Sequence, residues 1–280
     1  MKKIQRIGLV LVLLFAAHSA MAAKLSPVRL VYASPQIRGS VYDQDLYTDI
    51  NVHVDNMDGQ PGSWSVYLRY HTNPGRPWLG PWPTMPMIQA GNYGTHRLYT
   101  ATVPSANVCF EIIATWRSYS GLPLTETYRD NNDGSYYRVS AFARRPYSPA
   151  GAVGGHVGLV TARNFSRIDR SRPGSTLYNQ YVEGEIVVPN LVASRIAGIR
   201  MTTDNWATSV DVPVSDWHVF SNGDEDLAWG AFDRLVAGRL TKPNKTVKFK
   251  VYFRDPVSGQ VYWDSNFGQD YTVKAGETLQ

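Results

Sequence analysis

The sequence predicts an all-β protein built as two tandem immunoglobulin-like antiparallel β-sandwich modules. Three observations lead there: short runs rich in β-branched and aromatic residues recur along the chain, turn-forming clusters separate them, and the second half restates the first in the same order. The runs are Ile50 to Val54, Trp64 to Tyr70, Leu98 to Val103, Val108 to Thr115, Glu185 to Val188 and Val247 to Phe253. Between them lie stretches such as Asp58-Gly59-Gln60-Pro61-Gly62 and Asp255-Pro256-Val257-Ser258-Gly259, where proline and glycine favour reversal of the chain. No segment carries an apolar repeat at helical spacing with caps, so at most short helical turns are expected. Many short strands joined in this way favour a sandwich over a parallel sheet with crossover helices.

The restatement is specific. Val28-Arg29-Leu30-Val31-Tyr32-Ala33 lines up with Val157-Gly158-Leu159-Val160-Thr161-Ala162, and Leu68-Arg69-Tyr70-His71-Thr72-Asn73 with Ile199-Arg200-Met201-Thr202-Thr203-Asp204. Val108 to Thr115 answers Val247 to Arg254, and Tyr128-Arg129-Asp130-Asn131-Asn132 answers Tyr262-Trp263-Asp264-Ser265-Asn266. A segment rich in proline, glycine and small residues, Arg144 to Gly155, separates the copies and reads as a linker. The expected organisation is a leader over residues 1–22, a first module over 23–145, a linker over 146–155 and a second module over 156–280.

The leader expectation rests on Lys2, Lys3 and Arg6, the apolar run Ile7 to Ala17 and the triplet Ala20-Met21-Ala22, an order typical of a signal peptide. It implies an exported protein, periplasmic or secreted. About eleven apolar residues are too few to cross a bilayer as a helix, and no later run is long enough, so no membrane span is expected. Removing those three cations lowers the formal charge from +5 to +2, which gives no electrostatic grip on nucleic acid. Cys109 is the only cysteine, which excludes an intrachain disulfide; it reads as a small core residue.

The segment Val261-Tyr262-Trp263-Asp264-Ser265-Asn266-Phe267-Gly268-Gln269-Asp270-Tyr271 resembles the signature loop of starch-binding and glycogen-binding carbohydrate-binding modules of families 21 and 53. Arg200-Met201-Thr202-Thr203-Asp204-Asn205-Trp206 is similar to the strand of those families that ends in Asp-x-Trp, and Phe232 follows in the expected order. The resemblance implies reversible binding of α-glucan, polymer or oligosaccharide, with Trp206 and Trp263 as stacking platforms and Asn266 and Asp270 as polar partners. The chemistry fits: a pyranose has apolar C–H faces that rest on an indole, and a hydroxyl rim that amides and carboxylates can bond. In the first module the matching candidates are Trp78, Asn131 and Asn132, with Arg129 in the place of Trp263. Asp264 and Asp130 read better as acceptors that fix their loops, and Tyr262, Tyr271 and Tyr128 as packing residues.

No catalytic residues, metal or cofactor are expected. Asp130-Asn131-Asn132-Asp133-Gly134 brings glycine one place early for a calcium loop, and the histidines lack zinc-site spacing. The acidic run Asp224-Glu225-Asp226 lacks the deep scaffold that would set two acids across a glycosidic bond. Lys245-Thr246-Val247-Lys248-Phe249 fits the docking pattern of glycogen-targeting phosphatase subunits, but strand alternation already explains it. An adhesion or assembly protein with a protein partner remains the alternative.

Overall fold

The computed structural model describes residues 26–40, 43–57, 60–72, 80–120, 124–132, 136–140, 152–153, 156–171, 174, 176–189, 196–218, 227–256 and 258–280. The expected leader and Trp78 lie outside these residues. Strands form most of the described residues, and each run singled out above falls within one.

In the first half the strands are β1 (Val28–Ser40), β2 (Asp43–Asp55), β3 (Gly62–His71), β4 (Thr84–Pro86), β5 (Ile88–Asn92), β6 (His96–Val103), β7 (Asn107–Ser118), β8 (Thr125–Asp130), β9 (Tyr137–Ser140) and β10 (Ala152–Val153). In the second half they are β11 (Gly158–Ile168), β12 (Tyr178–Pro189), β13 (Ile196–Thr202), β14 (Val210–Pro213), β15 (Asp216–His218), β16 (Leu227–Leu240), β17 (Val247–Arg254), β18 (Val261–Asp264), β19 (Tyr271–Val273) and β20 (Thr278–Leu279). The first half pairs them as β10-β1-β2-β6-β5 and β4-β3-β7-β8, with β9 also on β7; the second half as β20-β11-β12-β16-β15 and β14-β13-β17-β18, with β19 also on β17. Ala152 and Val153, expected inside the linker, instead pair with β1, as Thr278 and Leu279 pair with β11. In each case a short strand covers part of an edge that would otherwise present unpaired backbone groups.

Alternation buries one face of each sheet against its partner. Leu30, Ile50 and Val52 meet Leu68, Phe110 and Ile112 in the first core; Leu159, Val182 and Ile186 meet Ile199, Phe249 and Val251 in the second. Both halves carry a register shift at one place, between Leu30 and Tyr32 in β1 and between Leu159 and Thr161 in β11. At that bend the leucine N–H donates to an aspartate at the end of the eighth strand of its half. Leu30 N–H reaches Asp130 Oδ2 at 2.8 Å, and Leu159 N–H reaches Asp264 Oδ2 at 3.1 Å. Each carboxylate also accepts a tyrosine hydroxyl, from Tyr137 at 2.7 Å and Tyr271 at 2.8 Å. One aspartate thus ties the two sheets of each sandwich together.

The outer face of β1, β2 and β6 is covered by the second half. Arg29 Nη1 lies 2.5 Å from Asp264 Oδ1, His96 Nε2 is 3.1 Å from the Gln280 carbonyl, and Tyr32 meets Trp229 edge-on at 4.8 Å between ring centroids. Gly158 lies so near Val31 that an added Cβ would be 3.2 Å from its side chain and its carbonyl. The His53 and His96 rings are 4.2 Å apart in this contact. Burial chiefly pushes both pKa values down, that of His96 to about 4, and the Arg29 charge acts in the same direction.

A base whose pKa falls on folding stabilises the fold above its unfolded value, near 6.5 for histidine, and loses that contribution as pH drops towards the folded value. Thermal unfolding should show stability declining from about pH 6.5 towards pH 4, by on the order of 3 kcal/mol for His96. A profile flat between about pH 6.5 and 5, above the carboxylate range, would contradict a neutral histidine pair.

Candidate functional site

The candidate site occupies the outward face of the sheet β14-β13-β17-β18 and the loops at one end of it. In β17 the residues Val247, Phe249, Val251 and Phe253 are buried, so Lys248, Lys250 and Tyr252 project outwards. Register brings Arg200 of β13 opposite Lys250, Asp211 of β14 opposite Arg200, and Trp263 of β18 opposite Tyr252. Residues directly opposite in an antiparallel pair share a face, so these side chains lie on one outward face, with Asp211, Arg200 and Lys250 in one cross-strand row and Tyr252 and Trp263 in the next.

Trp263 is 43% exposed, and its ring centroid lies 5.7 Å from that of Tyr252. The Arg200 guanidinium carbon sits 5.2 Å from the Trp263 ring centroid, while Arg200 grips Asp211 with two parallel bonds of 2.6 and 2.8 Å. That grip lowers the Asp211 pKa and raises that of Arg200.

Trp206 is half-buried in the turn that follows β13, with φ at +73° beside Asn205 at +57°. Two adjacent left-handed residues need support. Asp204 supplies it by accepting the Thr202 hydroxyl at 2.6 Å and both the Thr208 hydroxyl and N–H, at 2.6 and 2.9 Å. These bonds, that from Thr202 foremost, lower its pKa to about 2. The Trp206 indole N–H donates to Asp270 Oδ2 at 2.8 Å, and Lys250 Nζ lies 3.3 Å from Asp270 Oδ1 and 5.3 Å from the Trp206 ring centroid. Trp206 and Trp263 therefore border one row of outward cations, Lys250 and Arg200, with Asp270 as the carboxylate beside Trp206.

Asn266 does not reach this surface. It is wholly buried with φ at +49°, its N–H donates to Asp264 Oδ1 at 3.1 Å, and its Nδ2 donates to the Asp270 carbonyl at 3.1 Å. It shapes the loop that presents Asp270 and has no surface left for a sugar rim. Asp264 is 2% exposed and holds the loop, as expected from sequence.

The first half repeats the loop with different side chains. Asn132 and Tyr136 take φ values of +52° and +57°, matching +49° and +63° at Asn266 and Asp270. The exposed Asn132 donates from Nδ2 to the Tyr136 carbonyl at 3.4 Å, and the half-buried Asn131 accepts the Tyr136 N–H at its carbonyl at 2.8 Å. Both asparagines are engaged in the turn itself. Arg129 stands opposite Ile113, as Trp263 stands opposite Tyr252, and with Arg69 it flanks the buried Glu111, at 3.7 and 2.7 Å. The aromatic surface here comes from Trp82, whose ring lies 5.0 Å from Tyr136, 6.0 Å from His71 and 5.4 Å from the Arg69 guanidinium. Trp82, which sequence reasoning missed, lies in the proline-rich connection just before β4. The outward face formed by Arg200, Lys250 and Tyr252 also escaped sequence reasoning, although the β17 alternation marks its residues as outward.

Nothing on this face pairs a nucleophile with a base. It offers flat rings with charged groups at their edges, a surface suited to holding a polyhydroxylated chain. Residues 171–274 match the family 21 carbohydrate/starch-binding module. The family 21 match spans β12 to β19 and includes Trp206, Trp263, Asn266 and Asp270; family 53 is not part of it. Over 104 residues the chain is 31% identical to protein phosphatase 1 regulatory subunit 3B of Homo sapiens and 30% identical to that of Mus musculus. These matches cover 36% of this chain and 34% of each relative, so the chain spans about a third of the relatives' length. Among solved structures, the carbohydrate binding module of the muscle glycogen-targeting subunit of protein phosphatase-1 is 22% identical, covering 45% of this chain and 78% of that one. Its TM-score of 0.30 is too low to carry an argument.

The relatives overturn the expectation of export. They are regulatory subunits of protein phosphatase 1, which points away from a periplasmic or secreted location. A basic, apolar and small-residue succession over 22 residues is a compositional pattern, and sequence alone gave it no structural check. Val247 and Phe249 of the phosphatase-docking pattern are wholly buried in β17, so the strand does not present them to a partner.

Removing one partner of a buried ion pair strands the other. Asp264→Ala should therefore cost roughly 3 kcal/mol or more, whereas Trp263→Ala, at the surface, should change stability by no more than about 1 kcal/mol. Urea denaturation of both variants checks this, and a large loss for Trp263→Ala would make that indole a packing residue.

Proposed function

We propose that this protein binds α-glucan of the starch or glycogen type without chemical conversion, and that Trp206 and Trp263 of the second half are the sugar platforms. The observation that carries this reading is the single outward face on which both indoles border Lys250 and Arg200, within the segment that matches family 21. A glucan lying along this face would stack on the rings while Asp270, Lys250 and Arg200 bond its hydroxyls. Asn266 serves by holding Asp270 in place.

The division of the chain into two modules is part of the same proposal, with β10 assigned to the first because β20 stands in its place in the second. The first module, through Trp82 and Tyr136, with Asn131 and Asn132 shaping its loop, is a weaker platform because Arg129 replaces an indole. Two platforms on one polymer would raise avidity beyond what either achieves alone.

Affinity electrophoresis through gels containing amylopectin, glycogen, cellulose or no polymer tests the reading. Retardation by the two α-glucans alone is expected. Trp206→Ala and Trp263→Ala should each weaken it roughly tenfold, in keeping with one lost stacking contact. Retardation that survives both substitutions would reject the platform, and release of reducing sugar would reject the non-catalytic assignment.

A further inference from the structure

The loop between β18 and β19, which presents Asp270 to Trp206, is gripped from outside by the first half. Arg29 of β1 reaches it with both terminal nitrogens of its guanidinium. Nη1 pairs with Asp264 at 2.5 Å, Nη2 donates to the Tyr271 hydroxyl, and the guanidinium carbon lies 5.3 Å from the Phe267 ring centroid. A second contact flanks it, from Gln269 Nε2 to Asp55 Oδ1 at the end of β2, at 3.0 Å. His53 of β2 completes the contact, 3.3 Å from Arg29 Nη2 and 3.5 Å from the Tyr271 hydroxyl.

The loop has reason to need such support. Asn266, Phe267, Gly268 and Asp270 take φ values of +49°, +59°, +86° and +63°, all left-handed, and three of the four are not glycine. Such positions persist only where surroundings over-determine them. Within the loop, the backbone bonds from Gly268 and Asp270 to the Ser265 carbonyl and from Gln269 to the Asn266 carbonyl fix the turn. They do not fix where the turn sits on the sandwich; the contacts to Asp264, Phe267 and Gln269 do.

We propose that Arg29 is a positioning residue for the glucan site of the second half: the first half acts as a clamp on the β18–β19 loop, holding Asp270 where it orients the Trp206 indole. The consequence for affinity rests on the glucan reading above; the clamp itself does not. Arg29 acts through Asp264, Phe267 and Tyr271 and lies on the far side of the loop from the platform row. Glucan affinity in the second half then depends on a side chain that the matched segment does not contain.

The test uses the full chain with Arg29→Met and Arg29→Lys, read by retardation in amylopectin gels and by amide hydrogen exchange. Arg29→Met should lose protection over residues 264–271 while β13 and β14 keep theirs, and should weaken amylopectin binding about five- to tenfold. Arg29→Lys should recover part of both, because it keeps the charge towards Asp264 but not the planar fork towards Tyr271. If Arg29→Met binds and exchanges like the wild type, the clamp is refuted. Should Arg29→Met fail to fold, Gln269→Ala removes the flanking contact alone; faster exchange in the loop supports the clamp, and unchanged exchange overturns it. A wild-type chain that amylopectin does not retard sinks the glucan reading instead, and the exchange data then decide the clamp.

Discussion

The Asp264 carboxylate is the group on which the second half of the chain depends. Almost without solvent contact, it accepts the Leu159 N–H from the opposite sheet, the Asn266 N–H from its own loop and the Tyr271 hydroxyl from the next strand. A carboxylate moved out of water loses several kcal/mol of hydration, and three donors plus the Arg29 guanidinium are what make that tolerable. Asp130 receives the corresponding leucine N–H and tyrosine hydroxyl in the first half. The device is thus common to both halves, and in the second half the carboxylate also meets Arg29.

Burying charge in this way adds little net stability, because attraction roughly offsets desolvation. What it adds is uniqueness. Apolar contacts such as Tyr32 on Trp229 would tolerate sliding of one half over the other, whereas the Arg29 fork fits Asp264 and Tyr271 in one arrangement. The neutral histidines beside it belong to the same logic, since a second positive charge next to Arg29 would undo the balance. The polar contact therefore sets the geometry, and the neighbouring apolar pairs supply most of the favourable free energy.

Sequence reasoning reached the strands and the structural part of the signature loop, because alternation and turn chemistry are local. It did not reach what depends on burial. Asn266 reads as a polar partner for sugar on a sequence, and only its place beneath the loop shows that its backbone N–H donates to the Asp264 carboxylate and its side-chain amide to the Asp270 carbonyl. Trp82 gives no signal of its own in the proline-rich connection, and only the structure places it beside Tyr136. Arg29 carries no local signal, since its partners lie in the other half of the chain. Ala152 and Val153 look like linker residues because a two-residue strand has no pattern of its own.

The cations beside the two indoles bear on how such a site would work. A ring on an open sheet face samples rotamers that a bound sugar must freeze, and each frozen side chain costs about 0.5–1.5 kcal/mol. Arg200 is pinned to Asp211 and rests on Trp263; Lys250 is paired with Asp270, which also holds the Trp206 N–H. Each indole is thereby braced by a neighbouring charged side chain before any ligand arrives. The cost of ordering is met within the fold, and under the proposed function the ring surface that remains exposed would meet a polymer in a fixed orientation.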